Sequence, residues 1–399
     1  MKKLTPSEKL FEWYQQIDQA SVVDEGTTRP IARAEVLRED DEAIYAASQW
    51  KLMWRKFVRN RAALAGGVVT LVFYMLAIFA NFISPYTLTT RFRDRLYLPP
   101  QRIHFFHEGQ LSWPFVYDIT TEFDAETFTR TFTEDTSQPY PIRFFAKGEP
   151  YRLFGLIEAD RHLFLADGAP INLFGADRQG RDMLTRVLLG SQISLTIGLV
   201  GVFLSLTFGA ILGVASGYFG GWADEVIQRM IEFVRSFPAI PLWMALSAAV
   251  PPNWPPLRTY FMVTLILSLI GWTWLARQLR GKALSLRNEE FVSAARLLGA
   301  SHWYIITKHL IPASLGHIIV VSTLAMPAMI LAETALSFLG LGLRAPLTSW
   351  GVLLQEAQNI QSIALYPWLF IPAGFIVVAI LAFNFLGDGL RDAADPYTR

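Results

Sequence analysis

VLLGSQISLTIGLVGVFLSLTFGAILGVASGYFGGWA, from Val187 to Ala223, runs for 37 residues without an Asp, Glu, Lys or Arg. About 20 apolar residues carry a helix across the hydrocarbon core of a bilayer, so the stretch is long enough to cross and to project beyond. Five further intervals are equally free of formal charge: Ala62 to Thr90, Ser236 to Leu257, Thr259 to Ala276, Leu310 to Ala332, and Ala357 to Gly387. A large soluble protein with a rich core could share the composition of 52% hydrophobic and 17% charged residues. It would scatter its charges along amphipathic faces, whereas here they are gathered into blocks separated by membrane-sized gaps.

Each interval supplies one membrane helix, and the sequence is read as an all-α polytopic membrane protein of six spans. The third interval holds Pro238, Pro241, Pro251 and Pro252, which shorten or break it, a defect tolerated where protein or a cavity covers the backbone. Lys51, Arg55, Lys56, Arg59 and Arg61 precede the first span with no acidic residue among them, which puts that end in the cytoplasm. Alternation then makes the loop between spans four and five cytoplasmic. It carries Arg277, Arg280, Lys282, Arg287, Arg296 and Lys308, against Arg258 and Arg344 on the opposite short loops. Arg91, Arg93 and Arg95 lie on the outer side, but they begin a segment of about a hundred residues, whose charge constrains topology weakly.

These boundaries divide the chain into a cytoplasmic region (1–61), a first span (62–84), an extracytoplasmic insertion (85–185) and a transmembrane domain (186–399). The insertion is rich in aromatics, with expected strands at YPIRFF (Tyr140 to Phe145) and YRLFGLI (Tyr151 to Ile157), punctuated by Gly148, Pro150 and Gly155. It reads as a small α+β or β-rich domain over the external mouth. The acidic run around Arg38 to Ala43 is either a docking arm or a solvated tail. No apolar run follows the lysines of MKKLTPSEKLFEWYQQ, so a cleavable signal is not expected, and both termini are placed in the cytoplasm.

Catalytic signatures are missing. Gly281-Lys282 continues into Ala283 and lacks the upstream glycine of a phosphate loop, and there is no H-E-x-x-H, G-x-S-x-G or dinucleotide fingerprint. ATP binding by this chain, enzymatic activity and a resident cofactor are therefore not expected. Cysteine is absent, which excludes thiolate metal sites and disulfides. His104 and His107 have a spacing that could share a metal, but no third ligand stands near and none is assigned. A formal net charge of +1 gives no reason to expect nucleic acid as a partner.

The most informative stretch is LRNEEFVSAARLLGASHWYIITKHLIP, Leu286 to Pro312. Glu289 and Glu290 open a helix-compatible run, where carboxylates complement the helix dipole. Ala294, Ala295 and Leu298 form a small-residue face, Gly299 ends or bends the helix, and a second amphipathic segment follows. Such an elbow suits a groove on another protein.

This stretch resembles the EAA loop of ATP-binding-cassette importer permeases, in which EAA, a glycine and I-x-L-P recur at fixed spacing. Ala294, Ala295, Gly299 and Pro312 match; Ser293 stands for the leading Glu, His309 for the Ile and Ile311 for the Leu, with Glu290 one turn earlier. The blocks FGADRQGRDMLTRVLLGSQISL (Phe174 to Leu195), GYFGGWADEVIQRMIEF (Gly217 to Phe233), FVSAARLLGAS (Phe291 to Ser301), LSFLGLGL (Leu336 to Leu343), SWG (Ser349 to Gly351) and FNFLGDGLRDAADP (Phe383 to Pro396) follow in family order. They narrow the resemblance to the second permease of dipeptide and oligopeptide importers.

The resemblance implies the type I importer fold in an inner membrane, and coupling through Glu290, Ala294, Ala295, Arg296, Gly299 and Pro312. It also implies a second permease subunit, two cytoplasmic ATPases and an extracytoplasmic solute-binding protein. Cargo would be peptides, with nickel complexes and oligosaccharides as the alternatives. A membrane-embedded enzyme or a secondary transporter would call for paired ionisable groups inside the spans, where only Glu333 and His317 come near. Glu333 is either a path or gate group or a cap on the LGLG turn. Asp177, Arg181 and Asp182, with Arg178, are either an ion cluster at a binding-protein dock or solvated charges leading into a helix.

Overall fold

The computed structural model describes residues 49–124, 129–153, 155–251, 253–344, 347–359 and 364–394. The acidic run near residue 40 and the first residues of the chain lie outside that set. Residues 56–399 form one compact unit, which holds the features below.

Helix α1 (Gln49–Arg59) ends on Lys56 and Arg59. Asn60 then caps α2 (Arg61–Ile78) by accepting the Ala63 N–H at 3.2 Å, the role its short side-chain carbonyl fills well. A single further turn, α3 (Ala80–Ile83), follows. Between it and Asp182 the chain forms a four-stranded antiparallel sheet of β1 (His104–His107), β2 (Gln110–Asp124), β3 (Thr129–Leu153) and β4 (Ile157–Ala166), in chain order. The β1–β2 turn is Glu108-Gly109, both at positive φ (49° and 82°), the backbone a two-residue hairpin demands. YPIRFF lies inside β3, but YRLFGLI is not one strand. β3 ends at Leu153 and β4 starts at Ile157 because Gly155, at φ +71°, turns the chain between them. His104 and His107 pack on Phe115 and Tyr117, and the His107 ring meets the Tyr117 hydroxyl at 3.0 Å.

The long helices are α4 (Met183–Phe219), α7 (Pro256–Leu286), α11 (Leu315–Phe338) and α13 (Ile371–Ala394). Between α4 and α7 lie α5 (Gly221–Arg235) and α6 (Ala239–Ala248). Together with α2, these long helices give five that are apolar and long enough to cross a membrane, by length and composition. Where the third crossing is expected, α6 has only 10 residues, about 15 Å of helix, because Pro238 stands before it and Pro251 soon after.

Glycine spacing explains how α4 and α7 pack. Gly209, Gly213 and Gly217 fall four apart, on one face of α4. A Cβ on Gly213 would stand 2.3 Å from the Ala276 carbonyl oxygen, and one on Gly217 2.7 Å from that of Arg280. The two backbones thus touch, as small-residue stripes allow in lipid, where burial of apolar surface gives no net drive. Helix α13 packs on α2 and α11, and α11 on α4. Phe73 meets Trp350 and Phe375 edge to face at the centre, each with centroids 5.8 Å apart, and Trp350 lies tilted against Phe375 at 6.3 Å.

Candidate functional site

The loop from Leu286 to Pro312 folds as an elbow of two short arms. Helix α8 (Glu290–Leu297) is closed by Gly299 at φ +77°. The Ala300 N–H bonds the Ala295 carbonyl and the Gly299 N–H that of Arg296, each at 3.0 Å, so both orphan carbonyls are satisfied. Ser301 caps α9 (His302–Ile305), which runs through a π-helical turn (Ile306–Leu310) into α10 (Ile311–Ala313). The π turn has a local cause: Pro312 has no N–H to return to Lys308, and the Ile311 N–H reaches back to Ile306.

The faces of α8 differ from the small-residue face expected. Ala294 and Ala295 are neighbours, about 100° apart around the axis, so they cannot share a side. Ala295 and Val292 are buried in a cluster with Val214, Leu279, Ile305 and Leu310. Ala294, Glu290 and Pro312 face out. Leu297 and Leu298 project with 89% and 87% of their surface exposed, beside Trp303 and Tyr304. The elbow is therefore tied down by one side and apolar on the other.

Tyr218, at the end of α4, makes the tie. Its hydroxyl accepts from Arg296 Nε at 3.3 Å and meets His302 Nδ1 at 3.0 Å, while the Arg296 guanidinium lies 4.8 Å above its ring. Neither Tyr218 nor His302 was singled out from the sequence; the only trace is that both are amphipathic residues next to the helix ends. Arg280 on α7 clamps Asp224 on α5 with two of its guanidinium nitrogens, at 2.6 and 2.5 Å, and Ser216 adds a third donor. Arg280, ahead of Ser216, holds the Asp224 carboxyl below the usual range. The elbow is thus bonded to the end of α4 through Tyr218 and packed on α7 at Leu279, while the Arg280 clamp ties α7 to α5.

At the other end of the bundle Glu333 is fully buried. Its carboxylate accepts from Ser349 (2.6 Å), Ser337 (2.8 Å) and Ser194 (3.2 Å). Each serine in turn accepts a backbone N–H, from Val352, Leu343 and Trp350 respectively. One carboxylate thereby joins α4, α11 and the start of α12 (Trp350–Gln355).

Asp177, Arg181 and Asp182 are buried too, the first two as members of an ion cluster, and not as solvated charges leading into a helix. Arg181 donates to Asp177 (2.6 Å) and Glu356 (2.8 Å), and Arg186, which the sequence reading passed over, bonds both. Asp182 caps α4 through the Thr185 N–H at 2.7 Å, and burial pushes its carboxyl up to about 6. No group of three or more metal-ligating side chains occurs among the described residues.

Comparison with known proteins agrees with this geometry. Residues 180–399 match the family described as "Binding-protein-dependent transport system inner membrane component", and residues 48–100 match the "N-terminal TM domain of oligopeptide transport permease C". The chain is similar to the oligopeptide transport system permease protein OppC of Haemophilus influenzae, 43% identical over 57% of this chain and 71% of that one. It is 31% identical to the dipeptide permease DppC of Bacillus subtilis, over 87% of this chain and 85% of the relative. For the glutathione permease GsiD of Pectobacterium atrosepticum the identity is 29%, over 87% and 91%. The residues matched include the elbow, the serine-bound glutamate and the spans around them, and the chain belongs to the binding-protein-dependent inner membrane transport components, as an ABC permease of the oligopeptide and dipeptide type.

Proposed function

We propose that this chain is one of two membrane subunits of an ATP-driven importer of short peptides, and that its elbow seats in a groove of a cytoplasmic ATPase. The observation that carries this is the build of α8 and its end: Val292 and Ala295 locked into the bundle, Leu297 and Leu298 left almost wholly exposed beyond them. Two leucines so exposed are scarcely covered by the described residues, and large apolar side chains displayed on a rigid turn are the anchors of an interface. Peptides as cargo follow from the names of the relatives, all peptide or glutathione permeases.

In this reading ATP is hydrolysed on separate subunits, whose closure moves the elbow, and Tyr218 with Arg296 carries that movement into α4 and the cluster of Val292 and Leu279 into α7. The elbow and both termini face the cytoplasm, the sheet lies outside, and α6 serves as a shortened crossing. A related permease completes the path, and a solute-binding protein meets an outer rim held in shape by Asp177, Arg181, Asp182 and Arg186.

Gly299→Trp tests the docking. A Cβ there meets nothing within 4 Å, so the indole projects onto the docking side at a cost of about 1–2 kcal/mol for the left-handed backbone. The variant is expected to insert and pair with its partner permease but to lose co-purifying ATPases and transport. Gly299→Asn, which tolerates the same backbone, keeps both. Unchanged transport and co-purification in the Trp variant would count against the docking role.

A further inference from the structure

Resting on the peptide reading, we propose that the outer vestibule of this chain holds the free carboxylate of the cargo peptide on a rim of unpaired arginines. Five arginines and one glutamate line a cavity of about 470 Å³ where the start of α4 meets α12. Arg181 and Arg186 are spent on Asp177 and Glu356. Arg91, Arg178 and Arg344 make no ion pair among the described residues, and all three are exposed into solvent around the cavity.

A second observation shows that the wall is made for a polar guest. Thr348, only 3% exposed, lines the same cavity, and its hydroxyl has no hydrogen-bond partner among the described residues. A buried hydroxyl left unpaired costs on the order of 1–3 kcal/mol, which a ligand oxygen would relieve. Gln179 and Glu356, on the same wall, each keep one buried oxygen without a hydrogen-bond partner among the described residues. Those two are acceptors and suit the ammonium end of a zwitterion, not a second anion.

Guanidinium groups bind carboxylates through paired N–H donors, with a geometry that ammonium groups lack. A terminal carboxylate is the one anion every unmodified peptide carries, so holding it recognises cargo without regard to sequence. A permease that passes varied peptides needs that property.

The test uses the complete permease–ATPase complex in nanodiscs, without the solute-binding protein. Retention of trialanine, trialanine amide and N-acetyl-trialanine is measured by isothermal titration. Trialanine is expected to bind roughly tenfold more tightly than the amide, and the acetylated peptide to be weakened as well. In Arg91→Gln/Arg178→Gln/Arg344→Gln, trialanine falls to the level of the amide while the amide is unchanged. Arg344→Gln alone, a surface change that leaves folding intact, gives a partial loss in the same direction.

Equal binding of acid and amide by the parent, no measurable trialanine binding, or undiminished discrimination in the triple variant overturns the proposal. So does a variant whose only defect is weaker, salt-sensitive association with the solute-binding protein, because the arginines would then face an acidic surface of that protein. Uptake of trialanine by the full importer, measured alongside, separates the two levels. Uptake without carboxylate preference sinks this inference alone, and no uptake of any peptide sinks the peptide reading beneath it.

Discussion

Removing the carboxylate of Glu333 should loosen the outer half of the bundle more than any other single change there. Glu333→Ala deletes the acceptor of three serine hydroxyls, at 2.6, 2.8 and 3.2 Å. A hydrogen bond to a charged group contributes about 1.5–3 kcal/mol, and bonds sharing one acceptor are not additive, so the expected total is about 3–5 kcal/mol. For a domain of this size that is roughly 4–7 °C in the midpoint of thermal unfolding. Glu333→Gln keeps one carbonyl oxygen for Ser349 and Ser337 and turns an amide toward Ser194, so it should lose no more than about 2 kcal/mol. Tryptophan fluorescence on heating the detergent-solubilised complex reads both variants, and transport is measured beside it. The structural role fails if Glu333→Ala melts with the parent. It also fails if Glu333→Gln is stable but transports nothing, since that outcome makes the carboxylate a gate.

Gly213→Leu forces a side chain into the 2.3 Å gap against the Ala276 carbonyl. It should cost at least 1–3 kcal/mol and lower the yield of folded protein, whereas Gly281→Leu, where a Cβ meets nothing within 4 Å, should not. Asp182 binds its proton more tightly folded than unfolded, between 3.8 and about 6. Its contribution to stability is therefore fully present at low pH and is lost as pH rises through that window, by about 3 kcal/mol. Asp182→Asn, which can still cap α4, should flatten the decline between pH 4 and 6 in unfolding midpoints; an unchanged slope would show that another group titrates there.

The distribution of charge made the spans legible, because lipid forbids what water allows and leaves gaps of a fixed length. At the third interval a gap shows only where a helix is permitted, while Pro238 and Pro251 decide how much of one forms. Spacing located the elbow at Ala294, Ala295 and Gly299. It did not show which alanine turns inward, since that is set by the packing of Val214 and Leu310, residues far off along the chain. Leu297 and Leu298 did leave a signal: two leucines directly before a glycine in a charged loop belong to no core within reach. The serines around Glu333 left none, because Ser194 stands 139 residues away and serine is common. Arg186 was hidden at the edge of an apolar interval, where a charge reads as flanking until its partners Asp177 and Glu356 are seen.

The chain has no native cysteine, so a single Leu297→Cys reports one position in the intact importer. The account expects that thiol to be labelled only from the cytoplasmic side, and to cross-link to the ATPase subunit in a way that nucleotide alters. Labelling from outside the cell, or an accessible thiol that never cross-links to an ATPase, would contradict it.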